Sequence, residues 1–413
     1  TGVPLLRLKS IESSTATLTG CNFLNPEKVE SKWSHFKLSI GDLLLSSSAS
    51  LGRVSEVDES TAGAVAYTGI IRMRPSNALM TKGFIRYFLQ SRLFSHQIER
   101  SATGSVIKHF GPMHLKQMGI TLPPIEDQKA IAHILGTLDD KIELNQKMNQ
   151  TLEEIAKAIF KSWFVNFDPV RAKAEGRPTG LPPEISDLFP DELVDSEIGE
   201  IPKGWDVGAL SDSINLRGGL SYKSNLIGSG DPIVNMGCVS TSARFKHDGL
   251  KLYSGESKDH HLLSGGDIVI ATRQQSENLP ILGYPSYIPD NLGRAILATN
   301  MYKVEFLDDR LNADYLFQLL KTERYKQNIL ASKKGSTVSM ITKNAVMDFQ
   351  FPTPPEQLRI YISDILTVVN SRINVIYREQ ETLSELRDTL LPKLISGELR
   401  IPDAEKFLEE AGI

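Results

Sequence analysis

Residues 122–135, LPPIEDQKAIAHIL, have a counterpart at residues 353–366, TPPEQLRIYISDIL. When the chain is shifted by 231 positions against itself, the two Pro-Pro pairs align. The register holds for about eighty residues on both sides of these pairs, with slippage near Gln128 and Gln357. Repeats of solenoid proteins are only about 20–50 residues long, so this period excludes that class. The sequence therefore predicts two copies of one large structural unit.

Each Pro-Pro pair is followed by a long stretch with a heptad pattern. From Ile131 to Trp163, mostly apolar residues recur in alternating steps of four and three, and the positions 231 residues later repeat the pattern. Such a pattern over about five heptads is typical of a coiled coil. Polar residues interrupt it, and a buried polar pair formed by Asn149 and Gln380 would fix the helix register. The residues predicted to set the register are Leu138, Ile142, Asn145, Asn149, Ile373, Gln380 and Leu383.

The chain of 413 residues is too long for one hydrophobic core. We predict an α+β protein with two globular α/β domains, separated by two long antiparallel helices that form a coiled coil, and with a pseudo-two-fold internal repeat. The alternative is that the helices are ordinary core helices of separate domains. The predicted segments are a first globular domain at 1–122, a first long helix at 123–165, a connector at 166–204, a second globular domain at 205–353, a second long helix at 354–400 and a carboxy-terminal tail at 401–413.

Charge is divided between the globular and helical parts, although the net charge is only −4. Residues 1–119 carry a net +6 and residues 205–351 a net +1, whereas residues 120–204 carry −7 and residues 352–413 carry −4. Local positive charge permits nucleic-acid binding whatever the overall charge. Acidic helices are usually just solvated faces, so charge alone does not decide the function.

Motifs for catalysis, metal binding or membrane insertion are absent from the sequence. There is no phosphate-binding loop, no dinucleotide fingerprint, no His-Glu-x-x-His zinc motif and no Gly-x-Ser-x-Gly elbow. The two cysteines cannot build a disulfide framework, which fits a reducing cytoplasm. No apolar run approaches the ~20 residues of a membrane span. We therefore predict a cytoplasmic binding or organising protein that is not an enzyme.

Three segments resemble one known family in combination. Residues 122–176, from LPPIEDQKAIAHIL to FDPVRAKAEG, resemble the first central repeat of type I restriction–modification specificity subunits. Residues 201–224, IPKGWDVGALSDSINLRGGLSYKS, resemble the start of their second target-recognition domain. Residues 386–401, LRDTLLPKLISGELRI, resemble the end of their second repeat. The resemblance covers essentially the whole chain.

The resemblance implies a function in DNA recognition. In that family, two target-recognition domains each read one half of a bipartite, asymmetric double-stranded DNA target, and the helices set the spacing and bind two methyltransferase subunits. The resemblance thus implies a non-catalytic subunit that binds no cofactor itself. S-adenosylmethionine would belong to the methyltransferase partner, and ATP and Mg would belong to a restriction or motor partner if one joins the complex. The alternative function is a coiled-coil adaptor that binds proteins and not DNA.

The two halves differ at their start. Residues 204–229 precede the strand GDPIVNMG in the second half, while the first half starts almost at GVPLLRLK. We expect the corresponding strand of the first half to come from an upstream segment or from the carboxy-terminal tail.

Polar loops carry the candidate DNA contacts. Arg is the favoured reader of guanine and Asn or Gln of adenine, whereas many polar side chains contact phosphates. Such residues follow the two Gly-Asp strands and occupy GGLSYKS (218–224), TGSVIKH (103–109) and KKGSTVS (333–339). The alternative is that these stretches are solvated hairpin tips or structural turns. The predicted DNA contacts are Lys9, Ser46, Ser47, Ser48, Ser50, Arg53, Gly104, Ser105, Lys108, Tyr222, Lys223, Arg244, Lys246, Thr272, Arg273, Gln274, Gln275, Ser276, Lys333, Lys334 and Ser336.

Overall fold

The structure is a computed structural model that describes residues 2–48, 50–74, 79–101, 110–276 and 278–410. Its helices are α1 (Pro26–Lys28), α2 (Lys82–Gln90), α3 (Arg92–Ser101), α4 (Pro112–Leu115), α5 (Ile125–Phe164), α6 (Asp168–Ala174), α7 (Pro183–Ser186), α8 (Ala313–Leu319), α9 (Glu323–Ser332), α10 (Lys343–Met347), α11 (Glu356–Ser396) and α12 (Ile401–Glu410). None of these described helices is long and apolar enough to cross a membrane.

The strands of the described chain are mostly short. They are β1 (Val3–Leu6), β2 (Asn22–Leu24), β3 (Leu43–Ser46), β4 (Val54–Glu56), β5 (Val65–Ala66), β6 (Ile70–Met73), β7 (Leu193–Ser196), β8 (Gly199–Pro202), β9 (Asp206–Ala209), β10 (Ile214–Gly218), β11 (Ile227–Val234), β12 (Lys251–Tyr253), β13 (Leu262–Leu263), β14 (Ile268–Ala271), β15 (Arg273–Gln274), β16 (Pro285–Tyr287), β17 (Ala295–Leu297), β18 (Met301–Phe306), β19 (Ser339–Met340) and β20 (Gln350–Thr353).

Two compact units make up the chain. The first unit combines Thr1–Gln146 with Arg378–Ile413, and the second unit comprises Lys147–Tyr377. Each of the long helices α5 and α11 is divided between the units and contributes one segment to each. The predicted α+β class, with two globular parts and two long helices, is confirmed.

The first unit contains two three-stranded sheets, with strand orders β2-β1-β5 and β4-β3-β6. Strand β3 is buried at all four positions and lies between two antiparallel neighbours, with Leu43 opposite Met73 of β6. Phe84 of α2 belongs to an apolar cluster that also contains Leu138 of α5 and Leu390 of α11. The globular part of this unit therefore shares one core with its two long-helix segments.

The last described residues pack into the first unit as a helix. In α12, Ala404 and Leu408 are buried in the same apolar cluster as α2. A strand supplied by the carboxy-terminal tail was one of two expected sources for the strand missing from the first half. That expectation is wrong over residues 401–410, because this segment is helical.

The second unit contains two four-stranded sheets, with strand orders β10-β18-β14-β16 and β12-β11-β17-β13, together with two-stranded pairs. Its largest apolar cluster joins Trp163 of α5, Tyr315 of α8 and Leu358 of α11. The Trp163 ring stacks on Tyr361 at 6.3 Å between centroids and meets Phe189 edge-on at 5.4 Å. The end of α5 and the start of α11 are thus held side by side, in antiparallel directions, inside one core.

The segment predicted as a connector, residues 166–204, folds as part of the second unit. It forms α6, α7 and the β7–β8 hairpin. Phe167, Val170 and Phe189 belong to the main core of the unit, and Trp205 directly after the segment meets Phe167 edge-on. These elements are too short to produce a sustained periodicity, which is why the sequence pattern did not indicate them.

The internal repeat is visible in the sheet topology of the units. Each unit has an antiparallel pair, β3–β6 or β14–β18, and a parallel pair, β1–β5 or β11–β17. Thr81 and Asn312, which are equivalent by the 231-residue shift, are the N-caps of α2 and α8. Strand β10 extends the second unit at β18, whereas no described strand of the first unit pairs with the corresponding edge of β6.

The predicted register positions are largely buried in the long helices. Asn145 is 2% exposed and Asn149 is 3% exposed, while Gln380 is half-buried. Within the described chain, Asn145 Nδ2, both polar side-chain atoms of Asn149 and Gln380 Oε1 have no hydrogen-bond partner. The buried apolar register residues are Leu138, Ile142, Ile373 and Leu383. That the amides fix the register stays a prediction.

Candidate nucleic-acid interface

Three of the predicted DNA-contacting segments meet at one cavity in the second unit. The cavity has a volume of about 320 Å³, at the lower end of the ~300–1,000 Å³ range for small-ligand sites. Its lining includes Gly218 from the GGLSYKS turn, Arg273 from the stretch after β14 and Lys334 from KKGSTVS. The fold therefore brings together polar segments that are distant in sequence.

Backbone pairing places two cations on one face. Arg273 of β15 pairs with Met340 of β19, and Lys334 exchanges two backbone hydrogen bonds of 2.8 Å with the same Met340. Residues directly opposite each other in neighbouring strands project from the same face of a sheet. Arg273 and Lys334 therefore project from one face on either side of Met340, and all three residues line the cavity.

Arg273 presents an unpaired donor at the cavity, where an incoming acceptor could bind it. It is half-buried, and its Nε atom is buried without a hydrogen-bond partner among the described residues. A buried donor left unpaired costs ~1–3 kcal/mol, so an incoming acceptor would remove that cost. The planar fork of a guanidinium matches paired acceptors, such as a phosphate or the O6 and N7 atoms of guanine.

Gln274 has a structural role that differs from the predicted one. Successive side chains of a strand point to opposite faces, so Gln274 faces away from Arg273. Its Oε1 atom accepts hydrogen bonds from the backbone N–H groups of Ile281 at 2.9 Å and Leu282 at 3.0 Å. The Gln274 acceptor thus holds the loop that follows Arg273 in place, and a DNA contact by Gln274 stays a prediction.

The GGLSYKS turn requires glycine because two backbones come into close contact. A Cβ atom on Gly219 would lie 2.0 Å from the carbonyl oxygen of Ala298. The Gly219 amide donates a hydrogen bond to the carbonyl of Met301 at 3.2 Å. A side chain at Gly219 would push the turn away from β17 and β18 and would change the shape of the cavity.

The sequence did not indicate four other polar residues that line the cavity, namely Thr299, Asn300, Tyr302 and Thr342. Asn300 adopts the left-handed backbone conformation, with φ of 66°, which Asn tolerates better than most residues. Burial raises the pKa of the Tyr302 hydroxyl, so this group stays protonated and can donate at neutral pH. These four residues are isolated polar positions in or beside short elements and form no recognisable motif, which explains why they were missed.

Four predicted DNA contacts are buried, namely Ser46, Ser47, Arg244 and Thr272. Arg244 is 6% exposed and forms an ion pair with Glu153. The Ser46 hydroxyl accepts a hydrogen bond from the Arg53 backbone N–H at 2.8 Å. Ser46, Ser47 and Arg244 are buried by neighbouring residues of the chain, and DNA contact by them stays a prediction. Thr272 is 7% exposed and forms part of the cavity wall.

The other predicted contacts are accessible or lie outside the described residues. Arg53 is exposed and forms an ion pair with Glu12 at 3.2 Å. Gly104, Ser105 and Lys108 lie outside the described residues. The exposed residues are Lys9, Ser50, Lys223, Lys246, Gln275, Ser276, Lys333, Lys334 and Ser336, and Ser48 and Tyr222 are partly exposed. DNA contact by the accessible residues stays a prediction.

Known proteins are similar to this chain in sequence and in fold. The family model described as "Type I restriction modification DNA specificity domain" matches residues 18–154 and 202–385. The chain is 26% identical over 332 residues to the type I restriction enzyme HindI specificity subunit of Haemophilus influenzae, covering 69% of this chain and 70% of that protein. It is 24% identical over 374 residues to the MjaIX specificity subunit of Methanocaldococcus jannaschii, covering 88% and 78%.

A solved structure supports the same assignment at the level of the fold. The S subunit of a type I restriction–modification system from M. genitalium aligns with a TM-score of 0.50 at 16% identity, covering 95% of this chain and 92% of that chain. The family model covers well over half of the chain in two stretches. The protein therefore belongs to the type I restriction–modification DNA specificity family.

Proposed function

We propose that the protein is the non-catalytic DNA-recognition subunit of a type I restriction–modification complex, and that each unit reads one half of a bipartite, asymmetric DNA target. The observation that carries this proposal is the cavity of the second unit, where Arg273 and Lys334 project from one face. Cationic side chains on one face can bind phosphates and base edges together. The repeated sheet topology supports one half-site for each unit, because two similar folds with different loops can read different bases.

The long helices are proposed to bind two methyltransferase subunits. Leu144 and Val375 are equivalent by the 231-residue shift and are 53% and 51% exposed. Ile360 and Val368 of α11 are also exposed, Val368 to 70%. Single exposed apolar side chains are ordinary on protein surfaces, and contiguous apolar patches mark interfaces, so the proposal rests on the repeated position of Leu144 and Val375. The equivalence of Leu144 and Val375 supports two similar contacts, one for each copy of the partner.

Cofactors are proposed to reside in the partner proteins. The described residues contain no group of three or more His, Cys, Asp or Glu side chains that could hold a metal ion. S-adenosylmethionine would be bound by the methyltransferase, and ATP and Mg by a restriction or motor subunit where one is present. The chain would supply sequence recognition and spacing.

Methyl transfer is expected only from the assembled complex. The purified chain, incubated with duplex DNA and labelled S-adenosylmethionine, should transfer no label, whereas the complex co-purified with the methyltransferase of its own operon should label DNA.

Replacing both Leu144 and Val375 by Asp should remove the methyltransferase from the co-purified complex, because buried carboxylates are strongly disfavoured in an apolar contact.

The matched control is Leu252→Asp. Leu252 is 45% exposed and lies on β12, not on a long helix. The same change of chemistry there should leave the complex and its methylation intact. Methyl transfer by the chain alone would contradict the proposal of a non-catalytic subunit.

A further inference from the structure

A buried polar network joins the globular part of the second unit to both of its long-helix segments. Glu153 of α5 accepts hydrogen bonds from the Arg244 guanidinium and from Lys321 Nζ, the latter at 2.9 Å. The side chains of Arg244, Lys321 and Glu153 are 6%, 14% and 20% exposed. Arg244 and Lys321 come from separate parts of the globular domain, and both bind Glu153 on α5.

The network continues to the second long helix. The Arg244 guanidinium also donates to Asn370 Oδ1, and the Asn370 amide donates to Asp314. Asp314 Oδ2 accepts a further hydrogen bond from the Thr367 hydroxyl at 2.9 Å. Asn370 and Thr367 lie on α11, and Asp314 lies on α8. We call Glu153, Arg244, Lys321, Asp314 and Asn370 the Glu153 network.

The Glu153 network is balanced in charge, with two carboxylates and two cations. Burial alone would raise the pKa of Glu153, but Arg244 and Lys321 outweigh burial and hold that pKa below its ordinary value. Burial lowers the pKa of Lys321, and Glu153 opposes this shift. A buried, directional network of this kind tolerates only a narrow range of geometries, because each shift of a partner leaves a buried charge unpaired.

The first unit uses different chemistry at the equivalent helix positions. The 231-residue shift makes Asp139 the counterpart of Asn370. Asp139 accepts hydrogen bonds from the Tyr87 hydroxyl at 2.9 Å and from Arg387 at 3.0 Å, and Arg86 lies at 3.4 Å. We call these four residues the Asp139 network.

The counterparts on the other long helix differ as well. The same shift makes Ser384 the counterpart of Glu153, and the Ser384 hydroxyl donates to a carbonyl of its own helix. Arg387, which binds Asp139, is the counterpart of Ala156. The two ends of the repeated helices are therefore chemically different where the globular domains pack on them.

We propose that the two networks are positioning devices, each of which fixes one recognition domain in a single orientation on its own helix segments. Glu153 and Asp139 are the central positioning residues, and neither needs to touch DNA. The inference rests on the proposed function, because orientation matters only if each domain reads one half-site. A helix-mounted domain that is turned or shifted loses its base contacts, and displacements of about 1 Å can cost on the order of 10²-fold in rate.

The test maps methylation by the complete complex carrying variants of each network. Glu153→Gln should lower methylation about 10²-fold. It should relax base preference only at the half-site read by the second unit, or relax the length of the gap between the half-sites. Asp139→Asn should relax the other half-site. A change confined to one half-site excludes unfolding of the whole chain, and destabilisation of the second unit alone is tested by the variant that follows.

A second variant separates orientation from stability. The variant Glu153→Leu, Arg244→Met, Lys321→Met, Asp314→Asn removes both carboxylates and both cations of the Glu153 network. Replacing a buried ion network by neutral side chains is often neutral or stabilising. This variant should melt at or above the temperature of the unaltered chain and still show the relaxed second half-site. Unaltered base preference and spacing in this variant would overturn the inference. If the unaltered complex itself showed no sequence-specific methylation, the proposed function would fail, and this inference with it.

Discussion

Replacing Arg273 and Lys334 together by alanine will lower the affinity of the assembled complex for its specific DNA by about two orders of magnitude. Each good contact to a base edge contributes ~1–3 kcal/mol, and the two side chains project from one face of the cavity. Fluorescence anisotropy of a labelled target duplex measures the affinity at several salt concentrations. The plot of log affinity against log salt has a negative slope, and its magnitude should decrease by about 0.9 for each lost phosphate contact.

The two single variants separate base recognition from phosphate binding. If Arg273 contacts a guanine, Arg273→Ala will relax one base position, whereas a phosphate contact will weaken all sequences equally. The charge-matched control replaces Lys251 and Lys258, which are exposed in the same unit but do not line the cavity. An equal loss of DNA affinity in the cavity variant and in this control would show that the cavity is not the DNA-binding surface.

Trp163→Ala is expected to destabilise the second unit by ~3–5 kcal/mol, the usual cost of deleting a buried Trp side chain. Trp163 is 7% exposed and contacts Tyr361 and Phe189. The substitution therefore opens a cavity where α5, α11 and the segment 166–204 share one core. Urea unfolding followed by far-ultraviolet circular dichroism measures the loss in the free energy of unfolding.

Ile155→Ala is the matched control for that substitution. Ile155 lies on the same helix and is 44% exposed, so its truncation should change the free energy of unfolding by less than ~0.5 kcal/mol. A loss below ~1 kcal/mol for Trp163→Ala would mean that the end of α5 does not depend on the core described for the second unit.

The long helices could be predicted because their signals are local and repeated. The Pro-Pro pairs mark both starts, and the heptad positions from Ile131 to Trp163 are mostly buried in the structure. The folded structure of residues 166–204 could not be predicted in the same way. The helices and the hairpin of this segment are short. Phe189 is recognisable as a core residue only from its contact with Trp163 in the structure.

The site was predictable as a set of segments but not as individual side chains. Arg273 and Lys334 lie in loops that the sequence indicated, and the pairing of both with Met340 brings them together. Arg244 also looked like a DNA contact, being a basic residue in a polar loop. Its partner Glu153 lies on a long helix 91 residues away in sequence. A single sequence does not indicate that such a pair will meet in a buried network.

The proposed function requires that one chain recognises two unlike half-sites at a fixed spacing. The most direct measurement co-expresses the chain with the methyltransferase of its own operon and maps methylated adenines by single-molecule sequencing. We predict one split motif, with two different half-sites separated by a constant gap. A stable complex that produces no sequence-specific methylation would contradict the proposed function and would favour a protein-binding adaptor.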